Sequence, residues 1–288
     1  IGWNQPGVIF SAFAAVILIA SFLLWERKAT HPMLPLHFFR SMSFTAANMS
    51  MTITLFALMG FFFFIPQFFQ GIQHHSPLET GLLMMPQAAI SVIASLLSHR
   101  VVGRFGIRKS VSGGLLLAAG GITALGIILQ PDTSYLVILL AFLFLFTGID
   151  TAMPAATMSV MGSVPDEKAG VGSAMNEMTT QIGGALGIAV VGAVVNRTYL
   201  QHIKTLDFGG GTALDAAVES SIFSANAALL DSGLPDTANL ISEISSGFMH
   251  GLRSGMFFGA VLLVITAILA NRLLPDTPER IRSTPEIH

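Results

Sequence analysis

Two carboxylic acids, Asp150 and Glu177, lie inside long apolar stretches of this 288-residue chain. A carboxylate at the centre of a membrane helix costs ~2.5–3.5 kcal/mol on insertion scales, so such residues usually mark paths for ions, protons or substrates. Counted from Pro165, which lies between them, Asp150 is fifteen residues away and Glu177 twelve, or roughly 22 and 18 Å along ideal helices. We therefore expect neighbouring antiparallel helices to hold the two acids at similar depth.

No basic residue lies inside the apolar stretches to neutralise these acids. Low dielectric and a like-charged neighbour both favour the protonated form of a carboxyl group, so we expect at least one of the two to hold a proton at rest. Two acids that can each bind a proton or a cation are typical of an exchanger. The structural alternative is a protonated acid that is hydrogen-bonded to a backbone carbonyl.

Other polar residues accompany the acids at three- and four-residue spacing, which places them on shared helix faces. The candidates for proton and substrate binding, besides the two acids, are Gln87, Thr147, Thr151, Asn176 and Gln181. Further polar residues extend these stripes at Ser91, Ser95, Ser98, Thr157, Ser173 and Thr180. For the serine and threonine members, inter-helical hydrogen bonding worth ~0.6 kcal/mol per contact is the simpler interpretation.

The elements that must position these residues are apolar helices long enough to cross a membrane. The sequence predicts seven spans, at 7–25, 44–69, 79–99, 110–129, 135–160, 169–195 and 251–273. Composition agrees, with 52% hydrophobic and 10% charged residues and a mean hydropathy of +0.71. The predicted fold is all-α, a polytopic membrane helical bundle. An integral membrane protein with lipid as its surroundings is expected, and no nucleic-acid partner.

The basic residues predict the orientation of the spans. If the first span ends in the cytoplasm, eleven of the 14 lysines and arginines lie in cytoplasmic connectors. The C-terminal tail is then cytoplasmic, and the long 196–250 segment is an external loop. A periodic stretch near 213–230 favours a short amphipathic helix within that loop. Ser76 and Glu79 have the spacing of a capping box before the third span.

The sequence shows no motif for covalent or metal chemistry. Cysteine is absent, and the eight histidines lie in connectors or at span ends without two ligands on one internal face. No phosphate-binding loop or catalytic motif occurs, so we expect no cofactor, metal or catalytic residue. Four phenylalanines of the second span can contribute cation–π contacts, although packing is the more common role of such residues: Phe61, Phe63, Phe64 and Phe68.

Several motifs resemble those of fourteen-helix drug:proton antiporters of the major facilitator superfamily, and they cover essentially the whole chain. The segments that carry the resemblance are Gly2-Trp3-Asn4, His31-Pro32-Met33-Leu34-Pro35-Leu36, Ser76-Pro77-Leu78-Glu79-Thr80-Gly81, the basic loop Gly103-Arg104-Phe105-Gly106-Ile107-Arg108-Lys109, the stretch 168–187, and Gly247-Phe248-Met249-His250-Gly251-Leu252-Arg253. The stretch 168–187 is the most specific of these.

The resemblance implies one linker helix with its connector (1–40), a six-helix C-terminal bundle (41–273) and a cytoplasmic tail (274–288). It also implies that the N-terminal half of the transporter is missing here and is a partner of this bundle. Protons moving inward would drive export of amphipathic, often cationic drug-like compounds from a bacterial cytoplasmic membrane by alternating access. Gly103, Arg104, Gly106, Arg108 and Lys109 would then gate the cytoplasmic side.

Two departures from the family pattern bear on this expectation. Val101-Val102-Gly103 stands where family loops often carry an acid before the arginine, which questions charge-relay gating through the loop. Thr180 stands where many relatives have arginine, which removes a local charge partner for Glu177. Two other function classes stay open: a non-transporting membrane assembly or sensor subunit, and, less favoured, a membrane-embedded lipid-processing enzyme.

Overall fold

The computed structural model describes residues 6–28, 36–204, 218, 222–232 and 237–276, and within these ranges the chain forms helices and no strand. The helices, numbered in chain order, are α1 (Pro6–Lys28), α2 (Met42–Gln67), α3 (Pro77–Ile128), α4 (Tyr135–Ser163), α5 (Ala169–Ile203), α6 (Ile222–Ser232) and α7 (Thr237–Leu273). The motifs at 2–4 and 31–35, the stretches 205–217, 219–221 and 233–236 of the predicted external loop, and the predicted tail beyond Asp276 lie outside the described residues.

Five of these helices, α2 to α5 and α7, are long and apolar enough to cross a membrane. Helix α3, with 52 residues, contains two of the predicted spans. It is interrupted at Gly106, whose φ of 80° and ψ of 169° are not helical. Its arms are called α3a (77–105) and α3b (107–128). The first predicted span corresponds to α1, whose apolar part is shorter and whose Trp25 side chain is 75% exposed.

The long helices pack around α2 and α7. α4 packs along α3, α5 packs on α2, and α7 contacts α2, α3 and α5. α4 and α5 are consecutive in sequence but have little direct contact, since α2 packs against both of them. Large apolar side chains fill the centre of the bundle and are fully buried, for example Phe44, Phe68, Leu115 and Phe142.

Glycines allow two of these helix pairs to approach closely. A Cβ atom at Gly148 of α4 would collide with the backbone nitrogen of Ala118 in α3b. A Cβ atom at Gly187 of α5 would collide with the carbonyl oxygen of Phe56 in α2. Small residues at such positions let membrane helices pack backbone against backbone, which increases their van der Waals contact.

The helix boundaries agree with the prediction at most ends. The capping box is confirmed: Ser76 Oγ accepts from the Glu79 amide at 3.3 Å, and the Ser76 amide donates to Glu79 Oε2 at 2.8 Å. α2 passes into a π-helical turn at Phe68–Ile72, directly after Pro66, which cannot donate a backbone hydrogen bond.

The last helix starts earlier than predicted, at Thr237 rather than at 251. Its first turns contain Ser242, Glu243 and Ser245, whose polarity masks the helix in a hydropathy scan. The apolar Ile244 and Phe248 in the same turns are buried in the bundle, so tertiary packing supports this extension. α6 (Ile222–Ser232) overlaps the helix predicted near 213–230, and it packs on α7.

Candidate substrate and proton site

Asp150 lies on α4, at the face that meets α3a. The residue is half-buried, and Ser91 of α3a lies next to it. Its carboxyl oxygen Oδ2 is buried without a hydrogen-bond partner. Gln87 lies one turn before Ser91 on α3a, and its Oε1 atom is likewise buried and unpartnered. The first acid therefore shares a polar face with two of the predicted stripe residues.

Glu177 occupies a different position, on the exposed face of α5. Gln181 Nε2 donates to its Oε1 at 2.7 Å, and the Thr180 hydroxyl donates to its backbone carbonyl at 2.7 Å. The neighbouring Asn176 is half-buried, and its Oδ1 atom has no partner. The predicted stripe on α5 therefore has one buried acceptor beside an exposed carboxylate.

The two acids are not joined to each other. Among the described residues no hydrogen bond or ion pair links Asp150 to Glu177, and no lysine or arginine forms an ion pair with either. α2 packs against both of the helices that carry them: the Thr157 hydroxyl of α4 points to Met51 Sδ at 3.9 Å, and Thr179 of α5 contacts Asn48. The acids thus belong to two separate polar groups, one next to α3a and one on α5.

The predicted threonines have mixed roles. The Thr151 hydroxyl donates to the Thr147 carbonyl at 2.7 Å within α4, so this bond does not link two helices. Thr179, which was not among the predicted site residues, does link two helices: it donates to Asn48 Oδ1 at 3.1 Å. Among the stripe residues of α4, the Thr157 hydroxyl contacts α2 whereas the Thr151 hydroxyl bonds within its own helix, so inter-helical bonding describes some of the threonines and not others.

Asn48 is a polar residue that sequence reasoning missed. It is 2% exposed, it donates to the Phe44 carbonyl at 2.9 Å, and it accepts the hydroxyl of Thr179. Its signal in the sequence is an amide inside an otherwise apolar span, which usually indicates a helix contact or a site. Asn48 thus links α2 to α5 through Thr179, which lies one helical turn after Asn176.

Three of the predicted site residues each have a buried oxygen atom that accepts no hydrogen bond. Gln87, Asp150 and Asn176 lie on three different helices, and each has a buried oxygen atom without a donor. Buried acceptors without donors are unfavourable, and a proton, an ammonium group or a water molecule relieves them. Within the described ranges, no cluster of three or more histidine or acidic side chains suits a metal ion.

The basic loop is fastened to the end of α7. The Ile107 amide donates to the Asp276 carbonyl at 3.1 Å, and Arg108 Nε donates to the Leu274 carbonyl at 2.7 Å. The Arg108 guanidinium also lies 3.8 Å from the Asp276 carboxylate. Gly103, Arg104 and Lys109 are exposed. Asp276 therefore supplies an acid that the loop itself lacks, and it was not predicted because it lies far away in the sequence.

The phenylalanines of α2 mainly fill the core. Phe61, Phe64 and Phe68 are at most 6% exposed, and the Phe61 ring packs edge-on against Phe142 at 5.5 Å between centroids. Phe63 is the exception at 48% exposed. The packing interpretation accounts for the three buried rings, whereas Phe63 is open to a ligand or lipid.

Comparison with known proteins identifies the family. The model of the Major Facilitator Superfamily matches residues 1–188. The chain is 27% identical to the multidrug transporter protein MdtP of Bacillus subtilis, over 95% of this chain and 53% of that protein. It is 30% identical to the puromycin resistance protein pur8 of Streptomyces alboniger, over 96% of this chain and 50% of that protein.

A third relative is the tetracenomycin C resistance and export protein of Streptomyces glaucescens, 30% identical over 67% of this chain and 36% of that protein. This chain thus spans about half the length, or less, of the curated relatives described here. The fold is similar to a bacterial homologue of the human lysosomal transporter Spinster in an inward-facing structure, with a TM-score of 0.64, 19% identity and coverage of 83% of this chain and 50% of that one. The family match, the five membrane-length helices and this fold together show that the chain belongs to the Major Facilitator Superfamily, as an integral membrane protein of a transporter family and not of an enzyme family.

Proposed function

We propose that this chain is the C-terminal half of a proton-coupled multidrug efflux transporter that exports amphipathic, cationic compounds by alternating access. The observation that carries the proposal is the set of three buried, unpartnered acceptor oxygens, on Gln87, Asp150 and Asn176. These atoms lack a hydrogen-bond donor, and protons and ammonium groups are donors. The names of the relatives, which include multidrug, puromycin and tetracenomycin resistance proteins, support a drug-like substrate.

The two acids have different roles in this proposal. Glu177 is exposed on α5 and its carboxylate accepts from Gln181, and we assign it the exchange of protons. Asp150 is half-buried beside Ser91, with an orphaned oxygen, so a substrate cation can replace the missing donor. Because the acids are not in contact, binding of a cation at one does not require displacement of a proton from the same oxygen atoms.

The remaining partner is the other half of the transporter. The exposed polar residues of α5, among them Glu177 and Gln181, form a face that would turn toward a second six-helix bundle. Rocking of the two bundles would expose this face alternately to the two sides of a bacterial cytoplasmic membrane. In the orientation that the basic residues predict, the basic loop and the end of α7 lie on the cytoplasmic side of the membrane.

Substitution of each acid in the full-length transporter tests the proposal. Glu177→Gln removes the titratable group while keeping the size, so proton-coupled export of every substrate should be lost. Asp150→Asn should lower export of strongly cationic compounds by about tenfold, the equivalent of ~1.4 kcal/mol, while sparing neutral ones. The measurement is drug-induced proton release from purified protein, together with uptake into everted vesicles.

Glu167→Gln is the matched control, because Glu167 is an exposed acid in the connector before α5. Export should be unchanged in this variant. Wild-type, pH-dependent transport in the Asp150→Asn/Glu177→Gln double variant would exclude the acids from the mechanism. Complete absence of drug-dependent proton release from the wild-type transporter would favour the non-transporting assembly or sensor subunit.

A further inference from the structure

A polar cavity lies at the end of the bundle where α7 begins, away from the proposed acid site. Its volume is about 440 Å³, it is partly open at the surface, and it is lined by the chain that follows the π-helical turn of α2, the connector between α3b and α4, and the first turns of α7. The polar side chains that line it are His74, Gln130 and, from α7, three serines with His250 and Arg253. None of them belongs to the candidate substrate and proton site.

The lining of this cavity is rich in hydrogen-bond donors. Arg253 carries a permanent positive charge, the imidazoles and the Gln130 amide have N–H groups, and Ser242, Ser245 and Ser246 have hydroxyls. No carboxylate is among the described residues that line it. A cavity with donors and one fixed cation has the chemistry of an anion site.

The Arg253 side chain is held by one hydrogen bond, and one of its N–H groups has no acceptor. Its Nη2 atom donates to the Leu129 carbonyl at 3.0 Å, at the C-terminal end of α3b, which fixes the guanidinium. Its Nε atom is buried without a partner. A buried guanidinium N–H that lacks an acceptor is costly, so an anion within the cavity would satisfy it.

His74 reaches the cavity through an unusual backbone conformation. Its φ of 58° lies in the left-handed region, which residues other than glycine adopt rarely, and the preceding π-helical turn ends at Ile72. The next residue, His75, is instead 3.7 Å from Glu79 at the start of α3. The two adjacent histidines thus face different surroundings, and only the first lines the cavity.

Acidic groups near the cavity are directed elsewhere or lie outside it. The Glu243 carboxylate is 3.5 Å from His202 Nε2, and the His202 ring packs against the His250 ring at 5.7 Å between centroids. Asp132 is exposed in the connector, beyond the lining residue Pro131. In the part of the chain that the structure describes, no carboxylate inside the cavity neutralises the charge of Arg253.

We propose that this cavity binds a tetrahedral oxyanion, a phosphate-type group, through Arg253, His74, His250 and the α7 serine hydroxyls. The volume exceeds that of a single water, about 30 Å³, by more than tenfold, so it has room for a free oxyanion or for the phosphate of a lipid headgroup. Either ligand offers several acceptor oxygens to donors from three different parts of the chain.

Sulfate binding to the purified full-length transporter tests this proposal, because sulfate keeps its double negative charge across the neutral range. Isothermal titration in lipid-free detergent should give saturable binding for the wild type. Arg253→Gln should weaken it by about tenfold or more, since it removes a charge-assisted hydrogen bond. The His74→Gln/His250→Gln double variant should also weaken it, and it leaves the Arg253 contact with Leu129 intact.

Matched controls make the same two types of substitution at residues outside the cavity. His75→Gln changes the neighbouring imidazole, and Arg197→Gln changes an exposed arginine at the end of α5; both should bind sulfate as the wild type does. Repeating the titration in phosphatidylglycerol nanodiscs identifies the source of the anion. Equal binding there indicates a free oxyanion, whereas loss of sulfate binding only in nanodiscs indicates a lipid phosphate. Absence of saturable binding in detergent, or equal weakening by the control variants, would overturn the proposal.

Discussion

Gly106 is the residue that determines the course of α3. Its φ of 80° and ψ of 169° belong to a backbone region that is almost exclusive to glycine, and a Cβ there would lie 3.3 Å from the Asp276 carbonyl oxygen. The break converts one long helix into two arms with different directions. It also frees the Ile107 amide to bond with Asp276.

We predict that Gly106→Ala destabilises the protein by ~1–3 kcal/mol, because alanine is strained in this conformation. Gly103→Ala is the control, since Gly103 is helical and nothing lies within 4 Å of its added Cβ. The free energy of unfolding in mixed detergent and denaturant, followed by circular dichroism, measures both. A loss of the same size in the two variants would contradict the role given to Gly106.

A second residue-scale prediction concerns the bond between Thr179 and Asn48. Thr179→Val should destabilise the protein by ~0.6 kcal/mol, and by ~1.7 kcal/mol at most, as for other inter-helical hydrogen bonds in membranes. Thr198→Val on the same helix is the control: the Thr198 hydroxyl donates to Val194, and the Thr179 hydroxyl has the same kind of bond, to Met175, in addition to Asn48. The comparison therefore isolates the contact between α2 and α5.

Sequence reasoning at the residue scale succeeded where partners are close in the chain. Ser76 and Glu79 are three residues apart, so their capping box follows from spacing alone. Arg108 and Leu274 are 166 residues apart, and no local pattern indicates that they meet. The same limit applies to Asp150 and Glu177: their similar depth stays a prediction from counting residues, and the position of α2 against both of their helices depends on packing that no local pattern indicates.

At the scale of helices, close contact between backbones determines which pairs form. The α2–α5 pair depends on Gly187, whose Cα faces the Phe56 carbonyl with no room for a methyl group. Gly187→Ala should therefore cost ~1–3 kcal/mol through overpacking. Gly192→Ala, on the same helix with its nearest neighbour 4.0 Å from the added Cβ, should be neutral or slightly stabilising.

Thermal unfolding of the two purified glycine variants compares these outcomes.

The helices themselves were predictable from hydropathy, since α2, α4 and α5 begin within two residues of the predicted positions. Hydropathy does not predict the first turns of α7, where Ser242 and Glu243 lower the local apolar content. It also predicts a connector between the two arms of α3, whereas the break is confined to Gly106. Both depend on contacts made by the folded bundle.

The whole molecule has one well-packed interior and one helix face that is unusually polar. Buried residues of α5 point to α2 and α7, whereas Ser173, Glu177 and Gln181 remain exposed. We predict that this chain expressed alone gives no drug resistance, and that co-expression with a matching N-terminal half restores part of it. Growth in the presence of a lipophilic cation measures this, and full resistance from the isolated chain would rule out a rocking pair.

The absence of cysteine allows a direct test of topology. Asp132 and Lys168 are exposed in the connectors that flank α4. Single-cysteine variants Asp132→Cys and Lys168→Cys should react with an impermeant maleimide from opposite sides, the first from outside and the second from the cytoplasm. Labelling of both from the same side would mean that α4 does not cross the membrane.

The contact between the basic loop and the end of α7 also sets an order of events during synthesis. A ribosome makes Gly106 long before it makes Asp276, so the Ile107 amide and the Arg108 guanidinium must wait for their partners while some 170 further residues are translated and inserted. The contact between the turn at Gly106 and Asp276 can then form only after α7 has been made. The contact of residues 274–276 with the basic loop would thus be one of the last to form in the bundle. Nascent chains stopped at Leu273 should therefore remain sensitive to protease near Gly106.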